Sequence, residues 1–233
     1  MTVRSTESSS LTCASNQSSA LSHQELLPAP LTLAGMMDSM NPIETLGLAL
    51  GAGFSSGLNL YATVATLGLL ERFGVLHLPP SLQILSHPGV LGIAIALYLA
   101  EFFADKFPYF DTIWDAIHTF IRPPAAALLA FAAAGGAAPQ WRWGAALLAG
   151  GVALTAHGTK ASARAAVNTV PEPFSNWVLS FGEDILAVWL TWMATAHPLA
   201  TTIIVVALVA LSAVLLFYLF HFARRALQRL LAS

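Results

Sequence analysis

Long apolar stretches, each near the length of a transmembrane helix, recur along the chain from Ile43 onward. A helix needs about 20 apolar residues to cross the hydrocarbon core of a bilayer. Six stretches reach or approach that length, separated by short segments rich in proline and charged residues. They are residues 43–70, 89–104, 123–138, 144–166, 177–196 and 198–222. The pattern predicts an all-α polytopic membrane helix bundle with about six spans.

The segment between the second and third predicted spans has one polar face and one apolar face. The polar residues follow helical spacings of four, three and four, and they are Asp111, Asp115, His118 and Arg122. Tryptophan and isoleucine occupy the opposite side, so we expect an amphipathic helix in the headgroup plane, with a solvated polar face. Carboxylate oxygen and imidazole also suit several divalent ions, which makes Asp111, Asp115 and His118 candidate metal ligands.

Composition supports a membrane protein and divides the chain into three parts. Hydrophobic residues make up 56% of the sequence and charged residues 9%, against about 25% charged in an ordinary soluble domain. Residues 1–41 are rich in serine and threonine, which predicts a disordered tail. Residues 42–223 form the predicted transmembrane domain, and 224–233 a basic cytoplasmic tail. The net charge of −2 gives no reason to expect nucleic acid.

Basic residues predict how the chain is oriented, because lysine and arginine favour cytoplasmic loops. Six spans place both termini on one side of the membrane. That side carries eight of the ten basic residues, namely Arg4, Lys106, Arg122, Lys160, Arg164, Arg224, Arg225 and Arg229. We therefore expect a multi-pass protein of the inner membrane with cytoplasmic termini, and membrane lipids as its partners.

The two halves of the predicted domain resemble each other. The tripeptide that ends in Asn59 within the first span corresponds to the one that ends in Lys160 within the fourth. A proline-containing loop, an acidic helix and an apolar span follow in each half. Three spans per half would invert the second copy, as in many transporters, whose sites lie between the repeats. The glycines of the first span would also let a second helix approach closely, which is compatible with a homodimer.

Ionisable residues inside predicted spans are candidates for function, since each costs roughly 2.5–3.5 kcal/mol to insert and needs a partner or a watery cavity. The candidate pathway residues are Asn59, Glu101, Asp105, Lys160, Arg164, Glu183 and Asp184. Each has a simpler interpretation. Glu101 and Asp105 could pair with Lys106 at the interface, while Lys160 and Arg164 could bind lipid phosphates. The acids at 183 and 184 could only lock the fourth span to the fifth.

Common catalytic motifs are missing from the sequence, including the serine nucleophile elbow, the phosphate-binding loop and the zinc motif of metalloproteases. We therefore expect no catalytic residues and no cofactor, and we favour a non-enzymatic role. The leading hypothesis is transport of a small solute, ion or lipid headgroup through a charged pocket between two repeats, coupled to protons or cations. The alternatives are a metal-dependent enzyme acting on lipid headgroups and a structural or assembly protein.

One stretch carries a family resemblance. From Glu101 to Asp115 the sequence reads EFFADKFPYFDTIWD, and IRPPA follows at 121–125. This resembles the central motif of a family of bacterial membrane proteins known as domain of unknown function 4126. The glycine-rich first span and Gly158, Thr159 and Arg164 fit the same family over about residues 42–196, whereas Arg122 and residues 171–173 depart from its commoner form. The resemblance implies a small multi-span membrane protein and no particular activity.

Overall fold

The computed structural model describes residues 42–168 and 173–231, so the predicted tail at 1–41 lies outside the described residues. Within these ranges the chain is helical and contains no strand, which confirms the all-α class. The α-helices are α1 (Pro42–Arg72), α2 (Pro88–Ala104), α3 (Pro108–Ala133), α4 (Pro139–Val167), α5 (Pro173–Ala196) and α6 (Pro198–Leu231). A short 3₁₀ helix, Pro80–Ser86, precedes α2.

Every one of these helices begins at a proline. Proline suits the first turn because its backbone angle φ is already helical and the N–H that it lacks would have no partner there. Most predicted span boundaries consequently lie within a few residues of the observed helix ends. The region that was predicted as a basic tail continues α6 as far as Leu231.

Helix α3 corrects one prediction. The prediction of a separate interfacial helix, followed by a span that begins at Pro123, is wrong. One helix runs from Pro108 to Ala133 and contains Pro123 and Pro124 in its interior. Its polar face is not solvated either. All four polar residues of that face are buried, namely Asp111, Asp115, His118 and Arg122. Asp111, His118 and Arg122 have polar partners outside α3, which replace the water that the sequence pattern suggested. The Asp115 carboxylate lies 3.8 Å from Arg122 of the same helix.

Two of the described helices are long and apolar enough to cross a membrane, Phe110–Ala133 within α3 and Pro198–Phe222 within α6. The 3₁₀ helix and α2 together form a third such segment, bent by 65° at their junction. Helices α1, α4 and α5 coincide with the other predicted spans and hold the polar residues described below. The outer surface is strongly apolar, as at Phe120 (81% exposed) and Leu147 (76%). Such a surface is typical of a membrane-associated protein.

Helix α1 lies at the centre and packs against each of the other five α-helices. It crosses α4 closely because glycines face small residues there. A Cβ atom at Gly53 would lie 3.0 Å from the carbonyl oxygen of Ala149, and one at Gly57 would collide with the carbonyl oxygen of Ala153. These glycines therefore serve contacts within one chain, and they give no reason to expect a dimer.

Asn59 interrupts α1, with the non-helical backbone angles φ −149° and ψ 102°. Its side-chain Oδ1 accepts a hydrogen bond of 2.9 Å from the backbone N–H of Ala62, three residues later. This is the geometry of an N-cap residue, so Asn59 starts a second helical segment within α1. The break leaves backbone groups at the centre of the bundle without helical partners.

Candidate functional site: a buried charge cluster

Charged side chains from α2, α3, α4 and α5 converge beside the break in α1. We call this group the buried charge cluster. It consists of Glu101, Asp105, Asp111, Asp115, Arg122, Lys160, Arg164, Glu183 and Asp184. Eight of the nine residues are buried, and the side chain of the ninth, Glu183, is 12% exposed. Asn59 contacts the cluster from α1.

Arg122 joins α3 to the broken helix and to α2. Its Nη1 donates to the carbonyl oxygens of Gly57 at 2.9 Å and Leu58 at 3.0 Å. Its Nη2 donates to Glu101 Oε1 at 2.5 Å. The Nδ1 atom of His157 lies 2.9 Å from Nη1 and accepts a further hydrogen bond. The guanidinium thus binds carbonyl groups that the interruption of α1 releases.

Lys160 joins the two acidic helices. Its ammonium donates to Glu101 Oε1 on α2 at 3.2 Å and to Oδ2 of Asp105, the C-cap residue of α2, at 3.1 Å. It lies 3.5 Å from Glu183 Oε2 on α5 and donates to the carbonyl oxygen of Leu58 at 3.0 Å. One buried cation therefore contacts carboxylates from both halves of the chain and the end of the first segment of α1.

Arg164 lies one turn further along α4 and repeats this bridge. Its Nη2 donates to Asp105 Oδ2 at 2.9 Å and to Glu183 Oε2 at 2.6 Å. Its Nη1 donates to the backbone oxygen of Asp105 at 3.0 Å and lies 3.8 Å from Asp111 Oδ2. Charge-assisted bonds of this length are among the stronger hydrogen bonds in proteins.

Asp184 follows Glu183 directly but points in another direction, since successive residues on a helix are about 100° apart. Its Oδ1 accepts a hydrogen bond of 2.8 Å from Asn59 Nδ2. Its Oδ2 is buried and has no hydrogen-bond partner among the described residues. The acid therefore lies beside the start of the second segment of α1, where the helix dipole favours negative charge.

The dipoles of the two segments of α1 match the charges around them. Cations stabilise the carbonyl end of a helix, and anions stabilise the amide end. Arg122 and Lys160 bind the last carbonyls of the first segment, and Asp184 binds the residue that caps the second. The break thus places a negative and a positive backbone end in one buried region.

Acids outnumber bases in the cluster. It contains six carboxyl groups but only three strong bases, so three negative charges would remain if every acid were ionised. Four of the acids also have an oxygen without a hydrogen-bond partner among the described residues, namely Glu101 Oε2, Asp105 Oδ1, Asp115 Oδ1 and Asp184 Oδ2. Uncompensated buried charge costs several kcal/mol per ion (order of magnitude). Protons or bound cations would remove that cost.

The candidate metal ligands do not form a common site. Asp111 accepts hydrogen bonds from Asn168. Both ring nitrogens of His118 are engaged, by Tyr61 at 3.0 Å and by the carbonyl oxygen of Trp114 at 2.7 Å. In residues 42–168 and 173–231, no three histidine, cysteine or acidic side chains are placed to hold a metal ion.

The seven candidate pathway residues of the sequence all lie in or against the buried charge cluster. The interfacial interpretation of Glu101 and Asp105 does not fit the geometry, because these acids contact Arg122, Lys160 and Arg164 in the interior. Glu183 pairs with Lys160 and Arg164 of α4, which is compatible with an ion pair that locks α4 to α5. Lys106 instead lies over the ring of Phe102, 3.2 Å from its centroid. Burial lowers the pKa of the Lys106 ammonium, although Asp184 and Asp105 oppose that shift.

The membrane orientation was predicted from the number of lysine and arginine residues on each side, and three of those residues are buried. Arg122, Lys160 and Arg164 are at most 2% exposed, so they bind acids inside the bundle and cannot bind lipid phosphates. The interpretation of the basic face on α4 as a lipid anchor is therefore wrong. The orientation now depends on fewer surface residues, and Arg4 lies outside the described ones.

Sequence reasoning did not include Arg122 and His157 among the pathway residues. His157 accepts from Arg122 through Nδ1, and its Nε2 lies 3.1 Å from the carbonyl oxygen of Asp115 and 2.9 Å from Thr119 Oγ1. The available signal was the spacing of Arg122 on the polar face of α3, one turn after His118. A polar face of that kind can be buried when a neighbouring helix also carries charges.

Comparison with known families identifies the chain at the level of its family. The family model described as Domain of unknown function (DUF4126) matches residues 46–217, which include every member of the buried charge cluster. Comparisons with curated proteins and with solved structures give no significant match. The match confirms the resemblance seen in the motif that begins at Glu101. The chain therefore belongs to the family of Domain of unknown function (DUF4126).

Proposed function

We propose that this protein is a membrane transport protein that moves a small solute or ion by way of the buried charge cluster, coupled to protons or cations. The observation that carries the proposal is the excess of three carboxyl groups over strong bases inside the bundle. A purely structural network would be expected to balance its charges, because unpaired buried charge destabilises a fold. A site that takes up and releases cations needs acids that are not permanently neutralised.

The interruption of α1 at Asn59 is the second support. Many secondary transporters build their sites from discontinuous helices, whose exposed backbone ends face substrates and coupling ions near the membrane midplane. Here the carbonyls of Gly57 and Leu58 face cations, and the cap of the following segment faces Asp184. The backbone and the acids thus converge on one location.

In this proposal all six α-helices cross the membrane, and both termini lie in the cytoplasm. The outer faces of α4 and α5 support the arrangement, because exposed residues there are apolar, such as Leu154 (50% exposed) and Ile185 (68%). Lys160 and Arg164 of α4 and Asp184 of α5 lie in the interior, and the Glu183 side chain is only 12% exposed. Two inverted halves, α1–α3 and α4–α6, would meet where α1 crosses α4. The halves differ at this crossing, because α1 is broken at Asn59 whereas α4 is continuous through Lys160.

The test is to measure charge movement in reconstituted proteoliposomes on a solid-supported membrane after jumps in pH, Na⁺ or K⁺. We expect the wild-type protein to give a transient current for at least one of these cations. Glu183→Gln should abolish the current, because it removes the carboxylate that Lys160 and Arg164 share while preserving size. Glu44→Gln, at the exposed start of α1, is the matched control and should keep the current.

Thermal unfolding of the same samples separates function from stability. A folded Glu183→Gln protein with an unchanged current would overturn the assignment of Glu183. A wild-type protein that gives no current for any of the three cations would overturn the transport proposal. The cluster would then serve as a set of ion pairs that hold α2, α4 and α5 together, which is the structural alternative.

A further inference from the structure

A groove of about 490 Å³ opens on the side of the bundle between α2 and α5. Its walls are mainly aromatic, and one carboxylate lies among them. The residues that define this aromatic groove are Tyr98, Phe102, Phe181, Asp184, Trp189 and Trp192. Phe102 and Phe181 meet edge to face across it, with ring centroids 5.5 Å apart. The groove therefore leads from the apolar outer surface to one acid of the buried charge cluster.

Asp184 gives this groove a negative end. The residue is 6% exposed, and only its Oδ1 is engaged, by Asn59. Its Oδ2 has no hydrogen-bond partner among the described residues, and the cluster behind it has more acids than bases. A hard divalent cation would need six or more oxygen ligands, whereas this lining offers one carboxylate among aromatic rings and the aliphatic side chains of Ile185 and Val188. The groove suits a weakly hydrated monovalent cation.

Lys106 indicates that rings of the groove attract an ammonium ion. Its Nζ atom lies 3.2 Å from the centroid of Phe102 and 4.7 Å from that of Phe181. A cation over an aromatic face is attracted by the ring quadrupole, and a cage of several aromatic rings is a common means of binding quaternary ammonium groups. Lys106 occupies the end of the groove at Phe102, which leaves Tyr98, Trp189 and Trp192 beside Asp184.

We propose that the aromatic groove binds an organic ammonium ion with apolar substituents, with Asp184 as its counter-ion and Trp189 and Trp192 against its alkyl groups. This inference rests on the proposed function, since it names the substrate class of the transporter. A free organic cation and an ammonium headgroup of a membrane lipid share this chemistry. Both would reach Asp184 through the open side of the groove.

The experiment measures binding to the purified full chain in a nonionic detergent by titration calorimetry. Choline is the probe, and 3,3-dimethylbutan-1-ol is its uncharged isostere. We expect saturable binding of choline and none of the alcohol. Asp184→Asn should weaken binding by about tenfold or more, because it removes one partner of a desolvated charge pair. Trp189→Leu, at a position 41% exposed, should weaken binding by about fivefold through the lost cation–π contact.

Two matched controls should bind choline within about twofold of the wild type, since an exposed surface change away from the site leaves its contacts intact. They are Trp143→Leu on the exposed surface of α4 and Glu44→Gln at the start of α1. Thermal unfolding checks that each variant is folded. If Asp184→Asn does not fold, the choline affinity of Trp189→Leu alone tests the inference. This variant should fold, because the Trp189 side chain lies at the surface.

Nanodiscs distinguish the two sources of the ammonium group. Discs of phosphatidylglycerol alone are compared with discs that contain phosphatidylcholine. Competition by phosphatidylcholine for the choline site in the wild type supports a lipid headgroup, and undiminished choline binding supports a free solute.

Equal binding of choline and its isostere, or no saturable choline binding in detergent or in phosphatidylglycerol discs, overturns the inference. Cation-driven currents without choline binding would overturn this inference alone, and choline binding without currents would overturn only the transport proposal.

Discussion

Arg122 contacts two backbone carbonyls and one carboxylate with a single guanidinium. We predict that Arg122→Met lowers the free energy of unfolding by about 3–5 kcal/mol, the usual cost of removing one partner from a buried ion pair. The carbonyls of Gly57 and Leu58 and the Oε1 atom of Glu101 would lose that donor in a region without solvent. Thermal unfolding in detergent would show the change as a large fall in the midpoint temperature.

Arg142→Met is the matched control for this prediction. Arg142 carries the same side chain, but its guanidinium lies 4.1 Å from the ring of Phe131 outside the cluster. Arg142 is partly buried, and a contact of that kind contributes about 0.5–2 kcal/mol between the exposed and the desolvated case. Equal losses in both variants would contradict the role that we assign to Arg122, since they would show that any arginine of this protein matters to the same degree.

At the same scale, the sequence indicates which residues carry charge but not which residues they meet. Glu101 and Asp105 are four residues apart, so their common helix face could be predicted. Their partner Lys160 lies more than 50 residues away along the chain, and only the packing of α4 against α1 brings it near. Arg122 was counted as a surface residue for this reason, because helical spacing does not indicate whether a polar face meets water or another charged helix.

At the scale of the helices, the crossing of α1 and α4 depends on the absence of a side chain at Gly57. A Cβ atom there would collide with the backbone of Ala153, which cannot move as a flexible side chain can. We predict that Gly57→Ala destabilises the protein by about 1–3 kcal/mol, the range for overpacked cores. The shift would also displace the carbonyl that Arg122 binds, so unfolding midpoints and proton- or cation-driven currents should fall together.

Gly151 in α4 provides the opposite case. Apart from its chain neighbours and the backbone of its own helix, no described atom lies within 4 Å of a Cβ built at this position. Alanine has a higher helix propensity than glycine, so Gly151→Ala should keep or raise the stability by up to about 1 kcal/mol. If Gly151→Ala and Gly57→Ala lower the unfolding midpoint equally, the effect does not come from the close approach of α1 and α4.

Helix ends could be predicted here because proline marks the start of each helix, but the same signal failed within α3. Pro123 and Pro124 follow fifteen residues of helix and do not end it. Their effect on local hydrogen bonding depends on the neighbouring helices, which sequence spacing does not reveal. The break in α1 could not be predicted for a different reason. Asparagine is a strong N-cap residue, but Asn59 lies inside an apolar run that reads as one continuous helix.

At the scale of the whole molecule, the proposal of six spans differs from a protein in which only the three clearly apolar segments cross the membrane. Both arrangements place Val75 and Gln140 on one side and Gln228 on the other. They differ at the start of α5. With six spans, Phe174 lies on the side of Gln228, whereas with three spans it lies on the side of Val75, because α4 and α5 would not cross.

Single cysteines at these four positions, in a chain with Cys13→Ser, would locate each side by labelling intact cells with a membrane-impermeant maleimide. All four positions are exposed, so the reagent can reach them from the side on which they lie. We predict labelling of Val75→Cys and Gln140→Cys in intact cells, and of Phe174→Cys and Gln228→Cys only after permeabilisation. Labelling of Phe174→Cys together with Val75→Cys would contradict six spans. The reverse pattern for all four would keep the six spans and invert the orientation, since surface charge then fails to hold both termini inside.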